Sequence, residues 1–182
     1  SQNRFQRQQN FRSSACSRSP EPSFSKVMQI HLIAVGNKMP GWVTEGFEEY
    51  RKRLPRECEL VLREVAPGKR GKNADLARIQ EEEGERVLGL LDPDDRVIAL
   101  EVGGKPWTTE ALARELGGWM QDGRRIALLV GGPEGHSEAV RRRAPTHWSL
   151  SPLTLPHPLV RVLLAEQIYR AHSILKNHPY HR

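Results

Sequence analysis

The 182-residue chain is short of the features that would settle its class at once. It has two cysteines, Cys16 and Cys58, too few for a disulfide framework and in keeping with a reducing compartment. No apolar run approaches the roughly 20 residues needed to cross a bilayer, which excludes a helical membrane protein and suggests a cytoplasmic one. No cluster of Cys, His and carboxylates has metal-site spacing, so no metal is expected. Nor does any strand lead into G-x-G-x-x-G, which argues against a dinucleotide-binding oxidoreductase. Acidic residues are scarce in one place only. Residues 1–27 hold five basic groups and Glu21, against 23 basic and 21 acidic groups in the rest. The overall charge of +6 therefore belongs largely to the leader, and global basicity is a weak argument for nucleic acid.

Residues 1–27 are rich in Ser, Arg and Gln and lack a hydrophobic period, so they read as a disordered leader. Their composition resembles a transit peptide, but Met28 sits where the ordered pattern begins, so an extension left by cloning or by a misassigned start is the preferred reading and the segment is left out of the fold. From Met28 a regular alternation begins. Strands are expected at 29–35, 59–65, 96–101, 126–130 and 148–150, with helices over 42–54, 74–91, 109–121, 137–143 and 158–177. Strand alternating with helix is the mark of an α/β domain around a mainly parallel sheet with helices on both faces. The unbroken apolarity of Ile126–Val130 fits a strand covered on both sides. No linker divides residues 28–182, which read as one domain.

Four segments carry chemistry. Gly68-Lys-Arg-Gly-Lys-Asn73 is not a nucleotide-triphosphate loop, since Ala66 and Asn73 break the required pattern. Its Lys69, Arg70 and Lys72 form either a solvated basic turn or a contact to RNA phosphates. Gly131-Gly-Pro-Glu-Gly135 lies where the fourth strand ends, the place at which open α/β sheets hold ligands. Glu101-Val-Gly-Gly-Lys-Pro106 repeats the arrangement after the third strand, and two such exits suggest a ligand cleft. Leu150-Ser-Pro-Leu-Thr-Leu-Pro-His-Pro158 is too apolar for a free loop and is expected to be buried, offering backbone groups to a ligand. The helix that follows is apolar on more than one face, through Leu159, Val160, Val162, Leu163, Leu164, Ile168, Ile174 and Leu175. Such a helix is expected to be buried on both sides, with a second copy of the chain covering the extra face.

The blocks Gly68–Asp75, Leu129–Gly135, Leu153–Val162 and Asn177–Arg182, in this order, resemble a family of small bacterial methyltransferases. Those enzymes act at N3 of a pseudouridine in large-subunit (23S) ribosomal RNA, and belong to the trefoil-knotted SPOUT superfamily. The resemblance covers essentially all of 28–182. It implies a knotted α/β domain that binds S-adenosylmethionine and a homodimer whose active site draws on both subunits. The cofactor pocket would comprise Leu100, Gly131, Leu150, Ser151, Pro152, Leu153, Thr154 and Leu155. His157, Arg161, Tyr180, His181 and Arg182 would serve the acceptor base. His and Tyr suit removal of the N3 proton, and the arginines suit stabilising the resulting anion. Two other classes fit the same scaffold: a non-enzymatic ribosome-binding or assembly module, and a SPOUT methyltransferase acting on transfer RNA.

Overall fold

A computed structural model describes residues 27–182, so the leader reading of 1–27 lies, apart from Val27, outside the described residues. Five strands build one sheet: β1 (Met28–Val35), β2 (Cys58–Val65), β3 (Arg96–Pro106), β4 (Ile126–Val130) and β5 (Thr146–Ser149). They run in the order β2-β1-β4-β3-β5, and each neighbouring pair is parallel. The helices between and after them are α1 (Gly41–Arg51), α2 (Leu76–Leu88), α3 (Thr109–Asp122), α4 (Glu138–Arg143) and α5 (His157–Leu175). A single 3-10 turn, Pro179–His181, ends the chain.

The two-residue period of the strands divides the apolar side chains between two cores. Ile30, Leu32, Ile98, Ile126 and Leu128 point to one side, where Phe47 of α1, Leu112 and Leu116 of α3, and Leu164 and Ile168 of α5 meet them. Ile33, Val97, Ala99, Ala127 and Leu129 point to the other, against Val87 of α2 and Val140 of α4. With helices on both faces, β4 has no solvated side, which accounts for its continuous apolarity. Three helices begin on a side-chain cap: Asp75, Thr108 and Ser137 accept hydrogen bonds from the amides of Arg78, Ala111 and Val140. Each cap stabilises its helix by about 1 kcal/mol.

Two expectations change. The glycines after Glu101 do not open a loop, because β3 continues to Pro106 and pairs with β5 through a register shift between Leu100 and Lys105. A Cβ on Gly104 would lie 2.8 Å from backbone atoms of His147 and Trp148, so glycine here lets two strands approach. Helix α5 is not buried on every side within the chain either: of its large apolar side chains only Leu164 and Ile168 are fully covered, and Leu175 is 38% exposed. Leu164 and Ile168 face the sheet, Val162 packs on Gly46 of α1, and Leu175 on Gly117 of α3. Seated between two helices and the sheet, α5 leaves Leu159 and Leu163, one turn apart, only half-buried.

Candidate active site at the carboxyl rim of the sheet

Because every strand is parallel, Gly36, Glu64, Leu100, Gly131 and Leu150 all emerge at one rim, together with the first turn of α5. The end of β4 turns sharply. The Gly135 amide donates to the Gly132 carbonyl at 2.9 Å, and Gly135 sits at φ +80°, a conformation open to glycine. A Cβ on Gly131 would come within 2.9 Å of the Gly135 carbonyl carbon. Gly131 is thus required by the fold of the turn itself, before any ligand is considered. His136 follows, buried, with Nε2 at 3.2 Å from the Leu100 carbonyl and 3.1 Å from that of Leu129. A single N–H shared between two carbonyls ties the ends of β3 and β4 together. Burial lowers the pKa of this imidazole, which keeps it neutral and its Nε2 a donor. Composition alone could not single it out. Its place directly behind the glycine turn is the one available signal.

The loop from 150 to 155 departs from expectation. Leu150, Ser151 and Leu155 are partly buried, while Pro152, Leu153 and Thr154 are exposed, Leu153 to 72%. The Ser149 hydroxyl donates to the Ser151 carbonyl, and the Ser151 hydroxyl accepts from the Leu153 amide at 3.0 Å. These local bonds shape the loop and leave the amides of Thr154 and Leu155 pointing to no partner among the described residues. Leucine side chains interleaved with free backbone donors suit a flat apolar ring with polar edges, such as adenine. The residues at this rim therefore fit an adenosyl ligand.

His157 and Arg161 converge on the same rim from α5. Arg161 is 2% exposed, and each nitrogen of its guanidinium makes one hydrogen bond: Nη2 donates to the Gly36 carbonyl at 2.7 Å, Nη1 to Glu64 at 2.9 Å, and Nε to His157 Nε2 at 3.1 Å. Since Nε2 accepts, the His157 proton sits on Nδ1, and the ring is neutral. Burial, and then the Arg161 charge, depress its pKa accordingly. Arg161 and His157 thus form a brace that joins β1, β2 and α5. Glu64, its carboxylate end, was not foreseen, since a glutamate near a strand's end carries no distinctive sequence mark.

Tyr180, His181 and Arg182 lie elsewhere. The chain folds back so that Tyr180 rests on Tyr169, ring centroids 4.6 Å apart, beneath the Arg170 guanidinium. Its hydroxyl donates to Glu166 at 3.2 Å. Burial and that carboxylate push the phenol up to about 12, so it stays protonated near neutrality. Glu166 is nine residues beyond His157, roughly 13 Å along the helix axis. Within one chain the five candidate side chains therefore form two groups rather than one.

Of the basic turn, Lys69 and Lys72 are exposed, whereas Arg70 is ion-paired with Glu134 at 2.5 Å and with the buried Glu83 at 2.8 Å. Burial pushes the Cys58 thiol up to about 12, which removes it as a nucleophile. Among the described residues, no helix is long and apolar enough to cross a membrane, and no group of three or more His, Cys, Asp or Glu is placed to hold a metal ion.

The chain is a parallel α/β domain with a glycine turn, an open apolar loop and a buried Arg-His brace at one rim, the rim at which such sheets hold ligands. The profile described as "Predicted SPOUT methyltransferase" matches residues 28–181, and the chain belongs to the SPOUT methyltransferase family. A Methylococcus capsulatus protein named "Ribosomal RNA large subunit methyltransferase H" is 57% identical over 155 residues, 85% of this chain and 100% of that protein. Proteins of the same name from Thioalkalivibrio sulfidiphilus and Pseudomonas putida are 59% and 57% identical over 155 residues, again 85% of this chain and 99% and 100% of theirs.

Proposed function

We propose that the chain uses S-adenosylmethionine to methylate N3 of a pseudouridine in large-subunit (23S) ribosomal RNA, as a cytoplasmic homodimer. The observation that carries this reading is the meeting of Leu100, the Gly131 turn, the 150–155 loop and the His157–Arg161 brace at one rim, in a SPOUT chain. The names borne by its relatives supply the substrate class. The strand order and the passage from β5 through the 150–155 loop into a helix held between α1 and α3 fit a trefoil knot in this region.

Leu100, Gly131 and the stretch Leu150, Ser151, Pro152, Leu153, Thr154 and Leu155 would hold the cofactor. When bound, it supplies a methyl group on a positively charged sulfur. The chain's task is then to remove the N3 proton and hold the base in line. That proton has a pKa a few units above neutrality, and each unit corresponds to about 1.4 kcal/mol. His157 has its proton on Nδ1 and its lone pair on Nε2 taken by Arg161, and Tyr180 remains a phenol, so neither is the base. His181 is the imidazole left in the candidate set to accept the proton, and Arg182 the cation left to stabilise the anion on O2 and O4. Because the turn that carries these two is held by Tyr180 against Glu166, Tyr169 and Arg170 of α5, they would reach the rim of a partner subunit rather than their own. The exposed Leu153 and the half-buried Leu159 and Leu163 provide an apolar surface for that partner.

Mass spectrometry of ribosomal RNA from a strain lacking this chain, with and without the gene restored, tests the reading. The expected result is one methylated pseudouridine that disappears and returns with it. Unchanged ribosomal RNA would refute the assignment, and loss of a methyl group from transfer RNA instead would move it to that substrate.

A further inference from the structure

The turn that ends β4 is gripped from outside by side chains that the proposed reaction leaves unassigned. Arg70 Nη2 meets Glu134 at 2.5 Å and its Nε lies 3.2 Å from both oxygens of the same carboxylate. On its other side Nη1 reaches Glu83 at 2.8 Å and the Gly68 carbonyl at 3.1 Å. Glu83, 2% exposed, also accepts the Gly68 amide at 2.9 Å. From the preceding turn of α2, the Gln80 amide donates to the carbonyls of Glu134 at 2.9 Å and His136 at 3.0 Å. There is no slack in this contact. A Cβ on Gly132 would lie 2.8 Å from Glu83 Oε2, and one on Gly84 only 2.2 Å from the Ser137 hydroxyl.

A turn carrying three glycines has many conformations to lose when a ligand settles on it. Charge-assisted and bidentate hydrogen bonds at its tip remove that freedom beforehand, which is the general route by which preorganisation raises affinity. We propose that Arg70 and Glu134 are positioning residues for the cofactor: their ion pair, seated on Glu83 and Gln80, holds the Gly131–Gly135 backbone in its ligand-ready shape. Arg70 is on this view a brace rather than a phosphate contact, and Lys69 and Lys72 remain as the cations the same loop presents to solvent. The inference rests on the proposed adenosylmethionine site.

Glu134 separates the two roles. A carboxylate repels RNA phosphate, so neutralising it cannot harm RNA binding through charge, whereas it must loosen the brace. Glu134→Gln keeps the Arg70–Glu83 pair and so spares the buried carboxylate; Arg70→Ala removes both contacts. Calorimetry with S-adenosylmethionine and the full chain, without RNA, should show each variant weakened roughly five- to tenfold or more, with the double variant no weaker than Arg70→Ala alone, as for partners in one interaction. Hydrogen exchange at residues 131–136 of the ligand-free protein should quicken in both, while the melting temperature of Glu134→Gln stays at the native value. Native-like cofactor affinity in both variants would overturn the inference, as would an Arg70→Ala that changes only KM for ribosomal RNA. Failure of the unaltered chain to bind S-adenosylmethionine would instead remove the cofactor site itself, and the brace's role with it.

Discussion

Replacing Arg161 by Met isolates the central brace. Methionine keeps most of the side chain's length and none of its hydrogen bonds. The Gly36 carbonyl, buried at the end of β1, loses a charge-assisted donor at 2.7 Å and is left without one. That contact accounts for about 1.5–3 kcal/mol. Glu64 behaves differently: its side chain is 39% exposed, so it regains water when its partner goes, and the lost pair costs less than about 1 kcal/mol. The His157 ring loses the donor that fixes its tautomer, at a cost of about 1 kcal/mol. Arg161→Met should therefore lower stability by about 2.5–5 kcal/mol, dominated by the one carbonyl. Glu64→Gln should cost less than about 1 kcal/mol. Urea denaturation measures both, with an unchanged slope required for the comparison. Equal losses in the two variants would refute the reasoning, since the cost would then follow the ion pair and not the buried carbonyl. Native stability in Arg161→Met would refute it too.

Other outcomes follow from the same geometry. Gly131→Ala places a Cβ 2.9 Å from the Gly135 backbone, so it should cost about 1–3 kcal/mol of stability as well as weaken S-adenosylmethionine binding; calorimetry beside a melting curve reads both, and unaltered stability would contradict the packing. His147 lies 2.8 Å from Glu101, whose hydrogen bond raises its pKa above the usual 6.5. A raised native value means the pair stabilises fully below pH 6.5 and loses that contribution as pH rises through the native pKa. Glu101→Gln should erase that fall, of less than about 1 kcal/mol, in stability measured against pH, and an identical pH profile would contradict the pairing. Leu163→Glu should dissociate the proposed dimer in light scattering while the chain stays folded, whereas Ile168→Glu, at 1% exposure, should unfold it; a folded Ile168→Glu monomer would contradict the assigned packing. Deleting Tyr180–Arg182 should spare cofactor affinity and abolish methyl transfer, and full activity without them would remove the tail from the site.

The alternation of elements was open to reading because each obeys a local rule. A strand of five apolar residues covered on both faces, a Ser, Thr or Asp before a helix, and a glycine where β4 must turn are all short-range signals. What stayed hidden depends on partners distant in the chain. Arg70 reads as a free cation until Glu134, 64 residues on, comes within 2.5 Å. The apolarity of α5 suggests burial on every side, yet α1 covers Val162 only in part, Leu175 beside α3 stays 38% exposed, and Leu159 and Leu163 stay half-buried. The Gly103–Gly104 pair suggests an opening, yet it allows β3 and β5 to touch. In each case periodicity states that a surface must be covered or a charge answered, and only the tertiary fold states by what.

The tail carries this logic furthest. Tyr180, His181 and Arg182 are three polar groups that nothing in the preceding helix pattern requires. In the fold, Tyr180 is pinned by Glu166, Tyr169 and Arg170 on the distal half of α5. Glu166, which holds it, lies roughly 13 Å along the axis from His157. On the proposed reading the two residues after Tyr180 act at another copy's rim. On the proposed reading, the homodimer is therefore a requirement of catalysis first and of burial second: the half-covered Leu159 and Leu163 decide how the copies meet, and His181 and Arg182 decide that they must.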